Sequence, residues 1–330
     1  MTRGRKNEFE LFSRALPGMS RDACLQTVTN HAGNQLLKGV ARSFYLTLRL
    51  LPAPMRGAAS LAYLLARASD TLADTAAAPP ELRLECLERF AHALAGPPRP
   101  LCWPASMIHA VRDPRERVLL EGAAALCAWL DRLPAPEAML VREVVDTIIG
   151  GQRLDLERFA GAAPDRPVVL ADAAALEDYS WRVAGCVGAF WTKLGFLTLG
   201  GRFSRAPAPG LLELGITYGK GLQLVNILRD LPADLATGRC YLPVADPRDV
   251  TGLLDSHRAW LERAWEWVGD GFAYADTLPS RRLRAATVLP AMLARNTLAR
   301  LRGATWEDLQ ARVKVPRAQV YLALARALAG

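Results

Sequence analysis

Isoleucine is scarce in this 330-residue chain and β-branched runs bounded by turn pairs are nearly absent, whereas Ala and Leu dominate. So little strand material beside so many helix formers predicts an all-α protein. Long runs of one charge are missing too. No run of five or more Lys or Arg occurs, although the net charge is +8. With no zinc-finger spacing and no aromatic-basic RNA pattern, nucleic acid is not an expected partner. The basic excess fits a solvated surface, or one that meets phosphorylated small molecules or an anionic membrane. None of the six cysteines (Cys24, Cys86, Cys102, Cys127, Cys186, Cys240) forms a CxxC pair, so they read as buried, reduced thiols of a cytoplasmic protein. The histidines His31, His92, His109 and His257 stand apart and support no zinc site. The N-terminus carries charge without an apolar segment behind it, which argues against a signal peptide. No stretch reads as the roughly 18 apolar residues of a membrane span. The expectation is a cytoplasmic protein, soluble or peripheral on the inner membrane.

The remaining pattern divides into helices and breaks. Residues 1–20 form a basic lead-in, and residues 21–330 read as one helical domain without repeats. Helices are predicted over about 21–37, 55–75, 81–96, 114–132, 135–160, 172–200, 208–231, 250–269, 281–302 and 305–328, with breaks at Gly39, at Pro52 and Pro54, at Pro79 and Pro80, and after Gly96. No convincing strand is found.

Two of these helices carry unusual polar stripes. In AYLLARASDTLADT, Asp70 and Asp74 are four apart, and Tyr63 and Arg67 precede them at spacings of four and three. On a helix all four share one face. An i,i+4 carboxylate pair repels itself unless positive charge lies between, and Mg²⁺ suits such a pair because it takes carboxylate oxygens while keeping waters and phosphates. Alone, the stripe fits a solvated acidic face better than a metal site. In GKGLQLVNILRDLPADL, Gln223, Asn226, Asp230 and Asp234 recur at spacings of three, four and four among Leu222, Leu224, Val225 and Ile227. Polar groups on an apolar helix call for a ligand, an ion or an internal network. Each stripe has an arginine beside it, Arg67 or Arg229. Facing one another, the two could hold Mg²⁺ and clamp a diphosphate between metal and guanidinium forks. That is equipment for ionising an allylic diphosphate in a water-poor pocket.

In order and separation the two stretches resemble the paired motifs of the squalene and phytoene synthase family. The resemblance runs from about Val40 to Leu301. It includes ARSFYLTLRLLP, an early flap with Arg42, Ser43 and Phe44. YSWRVAGCVGAFWTKL supplies Tyr179, Val183, Ala184 and Gly185. GRCYLP supplies Arg239 and Tyr241, and LPAMLARNTLARL a late pocket helix. It implies an all-α isoprenoid synthase fold with a central prenyl-binding cavity. It implies Mg²⁺ on Asp70, Asp74, Asp230 and Asp234. Diphosphate contacts would come from Arg42, Ser43, Phe44, Arg67, Arg229, Arg239, Gln223 and Asn226. Tyr179 and Tyr63, with Arg67 and Arg229, fill catalytic positions, the phenols in proton removal and cation stabilisation.

The first motif reads DTLAD, with Thr71 where a doubled aspartate is common, and so is most similar to the squalene synthase form. That likeness implies head-to-head condensation of two farnesyl diphosphates through presqualene diphosphate, with reduction to squalene by NADPH. Gly219-Lys220-Gly221 lacks the strand and third glycine of a dinucleotide fold, so NADPH would enter the prenyl pocket itself. The alternative is a non-reducing synthase making phytoene, dehydrosqualene or presqualene diphosphate. A third reading is a non-catalytic relative, against which the intact charges argue. Pro232, between Asp230 and Asp234, places the second pair near a helix end. Asp155, between apolar residues, fits a group standing behind the metal ligands, but a surface carboxylate paired with Arg153 or Arg158 is the favoured reading. Phe44, Tyr45, Phe190, Trp191 and Phe196 fit either the prenyl channel or ordinary core.

Overall fold

The computed structural model describes residues 44–96 and 101–329. Arg42 and Ser43, Cys24, and the proposed boundary at residue 20 lie outside the described residues.

Prolines start many of the helices, their missing N–H falling where no intrahelical partner exists. The chain runs α1 (Phe44–Leu50), α2 (Ala53–Asp74), α3 (Pro80–Ala95), α4 (Ala105–Ala110), α5 (Pro114–Glu121), α6 (Ala123–Leu130) and α7 (Ala135–Arg158). A two-residue strand β1 (Val168–Val169) precedes α8 (Ala173–Ser180), a π-helical turn (Trp181–Gly185) and α9 (Cys186–Leu199). Then come α10 (Ala208–Leu235), β2 (Arg239–Cys240), α11 (Val250–Asp276), α12 (Arg281–Leu301), α13 (Trp306–Gln310) and α14 (Arg317–Ala329).

Two large apolar cores fill the molecule. Around α2, α3, α5, α6, α7 and α9, side chains such as Leu61, Leu65, Leu72, Phe90, Val145 and Leu194 pack together. Each fully buried Leu removes enough apolar surface from water to contribute on the order of 2 kcal/mol. Around α10 and α11 the second core gathers Leu224, Leu228, Leu231, Leu261, Val268 and Leu298. A smaller cluster joins α12 and α14 through Ala285, Leu289, Ala323 and Ala327. Where α9 crosses α10 the backbones nearly touch: a Cβ on Gly188 would lie 1.8 Å from the Gly215 carbonyl oxygen.

Tertiary packing overrides several sequence expectations. The segment 172–200 is not one regular helix, since the WRVAG stretch widens into the π turn. Such turns concentrate at functional sites. The helix expected to stop at 231 continues through Pro232 to Leu235. The helix expected to end at 269 runs to Asp276. Gly271 is a contact there and not a stop, because a Cβ would lie 2.6 Å from the Tyr218 ring. The helix expected over 305–328 breaks between Gln310 and Arg317, where Arg312 takes φ 63 and Pro316 follows. The predicted absence of strands is corrected as well. Val168 and Val169 pair in parallel with Arg239 and Cys240, and this short ladder sets Arg239 in place. Gly238 permits the approach with φ 82.

Of the thiols, Cys86, Cys186 and Cys240 are buried, but Cys102 is exposed, contrary to expectation. Also against expectation, the stretch Ala173–Arg202 is long and apolar enough to cross a membrane, with mean hydropathy 1.3. Its inward side chains Cys186, Phe190 and Leu194 are core residues.

Candidate active site

The C-terminal half of α2 presents the first acidic pair. Asp70 accepts a hydrogen bond from Gln152 Nε2 of α7 at 2.7 Å. Its side chain is part-exposed, and the protein packed around it, with Asp74 one turn away, pushes its pKa up to about 7. Burial also raises Asp74, while Arg67 and Arg239 pull it back down. Arg67 does not stand free beside the pair. It stacks its charge against Glu116 of α5, and reaches Asp70 only at 3.8 Å. Burial works against the Arg67 charge, but Glu116 and Asp70 outweigh it and hold the guanidinium firmly protonated. Tyr63 is half-buried against the first core and lies within electrostatic reach of Arg67. Thr71 is buried and donates to the Arg67 carbonyl at 3.0 Å. Where a doubled motif would add a carboxylate, this helix turns a hydroxyl into its own backbone.

The end of α10 presents the second pair. Arg229 grips Asp230, Nε donating to Oδ1 at 3.0 Å, and Arg312 adds a contact at 3.4 Å. Asp234, in the last turn, is pushed up to about 7 by burial and by Asp230. Asn226 donates to Gln223 Oε1 at 3.5 Å, a weak bond. Asn226 is exposed and Gln223 half-buried. The polar stripe therefore looks out from the helix, and does not lie buried among the apolar neighbours as the sequence suggested. Asp74 and Asp234 each fall within the field of Arg239, so the two helix ends share one electrostatic region.

Between them Tyr179, Arg239 and Tyr241 gather around Asp155, which the sequence reading favoured as a surface carboxylate. Asp155, near the end of α7, is 9% exposed and accepts from the Tyr241 hydroxyl at 3.0 Å. Arg239 sits 3.5 Å from the same oxygen, while Oδ1 has no partner. The expected surface pairing is wrong. Arg153 meets Glu88 at 3.0 Å and Arg158 meets Asp178 at 3.8 Å. Burial pushes Asp155 up to about 6, against the pull of Arg239 and Tyr241. Tyr179 stacks on Tyr241 with ring centroids 5.0 Å apart. Burial, Tyr241 and Asp155 raise Tyr179 well above the usual phenol value, so it stays protonated. A signal was present in the sequence. Gln152 and Asp155 continue the buried α7 stripe of Val141, Val145, Ile148 and Ile149, a placement that solvated carboxylates avoid.

An apolar cavity of about 690 Å³, its open mouth included, runs beside α10. Val183, Val187, Trp191, Leu222, Tyr274 and Pro290 are among its walls. Of the aromatics considered from sequence, Trp191 lines it, Phe190 is core, and Phe196 packs edge-on against Phe203 at 5.1 Å. Phe44 begins α1, and nothing more is assigned to its side chain or to that of Tyr45. Leu222 ends the cavity wall where Gln223, Asn226 and Asp230 begin, so Asp230 lies about 12 Å farther along the helix axis.

The donor set suits a hard divalent cation. Among the described residues no three His, Cys, Asp or Glu groups converge into a closed metal cage. Mg²⁺ needs no such cage, because it keeps waters and substrate phosphates around one or two carboxylates. The crowded, proton-retaining carboxylates of Asp70 and Asp234 are groups that a cation would relieve.

A family model described as squalene/phytoene synthase matches residues 37–319. The chain belongs to the squalene/phytoene synthase family. It is accordingly a prenyltransferase of isoprenoid synthesis. Presqualene diphosphate synthase of Zymomonas mobilis is 27% identical over 284 residues, covering 82% of this chain and 84% of that one. The enzyme of the same name from Rhodopseudomonas palustris is 29% identical over 279 residues, 78% and 82% of the two chains. Phytoene synthase of Mycobacterium tuberculosis is 29% identical over 283 residues, 81% and 80%. Among solved structures, TcSQS in complex with a ligand superposes with TM-score 0.74 at 22% identity, covering 91% of this chain and 86% of that one. A squalene synthase from Alicyclobacillus acidocaldarius superposes with TM-score 0.54 at 20% identity, 83% and 93%. These likenesses show the all-α isoprenoid synthase fold expected from the sequence.

Proposed function

We propose that this family member joins two molecules of farnesyl diphosphate head to head into presqualene diphosphate. The observation that carries the reading is the meeting of two acidic, arginine-bearing helix ends at a largely buried Tyr179–Tyr241–Asp155 cluster, one turn of chain before the apolar cavity walls at Val183 and Ala184. The names of the Zymomonas and Rhodopseudomonas relatives support the choice of product.

Arg67, Arg229 and Arg239 would grip the diphosphate oxygens, together with Arg42 and Ser43 at the flap and Gln223 and Asn226 on α10. Asp70, Asp74, Asp230 and Asp234 would hold Mg²⁺, which when bound neutralises charge on the departing diphosphate. The apolar walls exclude water, which would otherwise capture an allylic cation. The faces of Tyr63 and Tyr179 stabilise passing positive charge. Closing the cyclopropane releases one proton from the carbon that forms the ring. Tyr179 stays a neutral phenol, so it can relay that proton but not keep it. Asp155, raised to about 6, has the basicity to accept it through Tyr241.

One observation favours a second reading. The DTLAD form of the first motif, with Thr71 in place of a second aspartate, is the ground for squalene as product and NADPH as reductant. Incubation with farnesyl diphosphate and Mg²⁺, with and without NADPH, separates the two. Presqualene diphosphate under both conditions supports the proposal, and squalene only with NADPH moves the protein to the second reading. Phytoene from geranylgeranyl diphosphate as the preferred product overturns both.

Peripheral membrane docking belongs to the same proposal. The net charge of +8 suits an anionic surface, and Trp181 and the cavity-wall residue Val187 are both exposed. Flotation with anionic vesicles at low salt tests it, and absence of binding contradicts it.

A further inference from the structure

Pro232 stands inside α10, two residues after Asp230 and two before Asp234. Proline has no N–H, so the carbonyl of Leu228, four residues earlier, loses its helix hydrogen bond. Leu228 is fully buried, and a buried carbonyl left without a donor is unfavourable. The donor arrives from another helix. His257 of α11 is 2% exposed, and its Nε2 lies 3.1 Å from the Leu228 carbonyl oxygen. A carbonyl oxygen only accepts, so Nε2 carries the proton and the ring is in that tautomer. Burial lowers the His257 pKa, and the nearby charge of Arg258 lowers it further, so the imidazole stays neutral.

We propose that His257 is a positioning residue for the second acidic pair, supplying the hydrogen bond that Pro232 withholds. Without it the turn holding Leu228 is free to open at the proline. Asp234 would then swing relative to Asp230, because only one residue of helix follows it.

A double-mutant cycle tests the role. His257→Leu removes the donor, His257→Gln keeps one at similar reach, and Pro232→Ala restores the backbone N–H. Each variant is followed by chemical denaturation, by the Mg²⁺ concentration needed for half-maximal condensation, and by kcat and KM for farnesyl diphosphate. His257→Leu should raise the Mg²⁺ requirement and lower kcat by about ten-fold with little change in KM, the pattern of a displaced catalytic group. His257→Gln should recover most of both. In the Pro232→Ala background His257→Leu should cost far less, in stability and in kcat. Equal losses in the two backgrounds, or a Gln variant as damaged as the Leu variant, would overturn the proposal. Should His257→Leu fail to fold alone, a double variant that folds supports the role and one that does not refutes it. The kinetic arm rests on the proposed condensation. The denaturation arm does not, so a wild type without product sinks that reading and leaves this one decidable.

Discussion

The two acidic helix ends are alike in sequence and differ in construction. The first ends an uninterrupted helix, and its partners come from other elements: Gln152 of α7 on Asp70, and Glu116 of α5 on Arg67. The second ends a helix that runs on through Pro232 without that residue's N–H, and Asp230 is already gripped by Arg229 next to it and Arg312 beyond α13. At each end burial and a neighbouring carboxylate raise one carboxyl, Asp70 at the first, where only neutral Gln152 bonds it directly, and Asp234 at the second. The first end is thus open to a cation directly. At the second, a cation must share Asp230 with two guanidiniums, which makes it the end suited to metal and diphosphate arriving together.

The largest effect should come from removing charge at either end. Asp70→Asn and Asp230→Asn should each lower product formation at least about 100-fold, the scale of losing a charge-stabilising element at a reaction centre. Circular dichroism should remain helical. Near-normal turnover in Asp230→Asn alone would break the symmetry of function and leave the second end a structural ion pair. The cluster between the ends should matter next. Tyr179→Phe and Asp155→Asn should each slow formation of the cyclopropyl product by about 10- to 100-fold while barely changing KM, as loss of a proton acceptor or relay does. Single-turnover product analysis checks this. A change confined to KM would contradict it.

How far the sequence carried this picture depended on whether the pattern was local. Asp70 and Asp74, and Asp230 and Asp234, were legible because helix periodicity alone puts each pair on one face. Tyr179 and Arg239 were legible only through the family likeness. Glu116, Arg312 and the true setting of Asp155 were not read, because each meets its partner across a long separation in sequence, 49 residues for Glu116 and 86 for Asp155 with Tyr241. The helix ends at 269 and 231 were misplaced for a related reason. Gly271 and Pro232 are breakers in isolation, but neighbouring helices supply contact to the one and a hydrogen bond beside the other. The α7 stripe containing Gln152 and Asp155 has the spacing of a buried face, while Arg153 and Arg158 beside it offer Asp155 surface partners in the sequence.

Smaller effects sharpen the contrast. Asp70 and Asp234 are raised to about 7 and Asp155 to about 6, chiefly by burial. A carboxylate whose folded pKa exceeds the unfolded value near 4 holds its proton more tightly when folded. These groups therefore favour folding most below about pH 4, and that contribution is lost as pH rises through about 7. The metal-free protein should lose stability over this window on their account. Mg²⁺, binding the ionised forms, should raise the melting temperature more at pH 8 than at pH 5. A pH-independent Mg²⁺ shift would contradict the assignment. Smallest of all, Glu116→Gln removes a charge from Arg67 and should lower KM for farnesyl diphosphate a few-fold, as expected when a competing exposed or half-exposed ion pair is released. A raised KM would mean that Glu116 holds Arg67 in its working position.

The most direct test of the whole account is the product formed from farnesyl diphosphate and Mg²⁺ without any reductant. Two cooperating acidic ends beside the Tyr179–Tyr241–Asp155 cluster predict presqualene diphosphate, formed in proportion to inorganic diphosphate at one per two substrates consumed. Farnesol alone, or unchanged substrate, would contradict it.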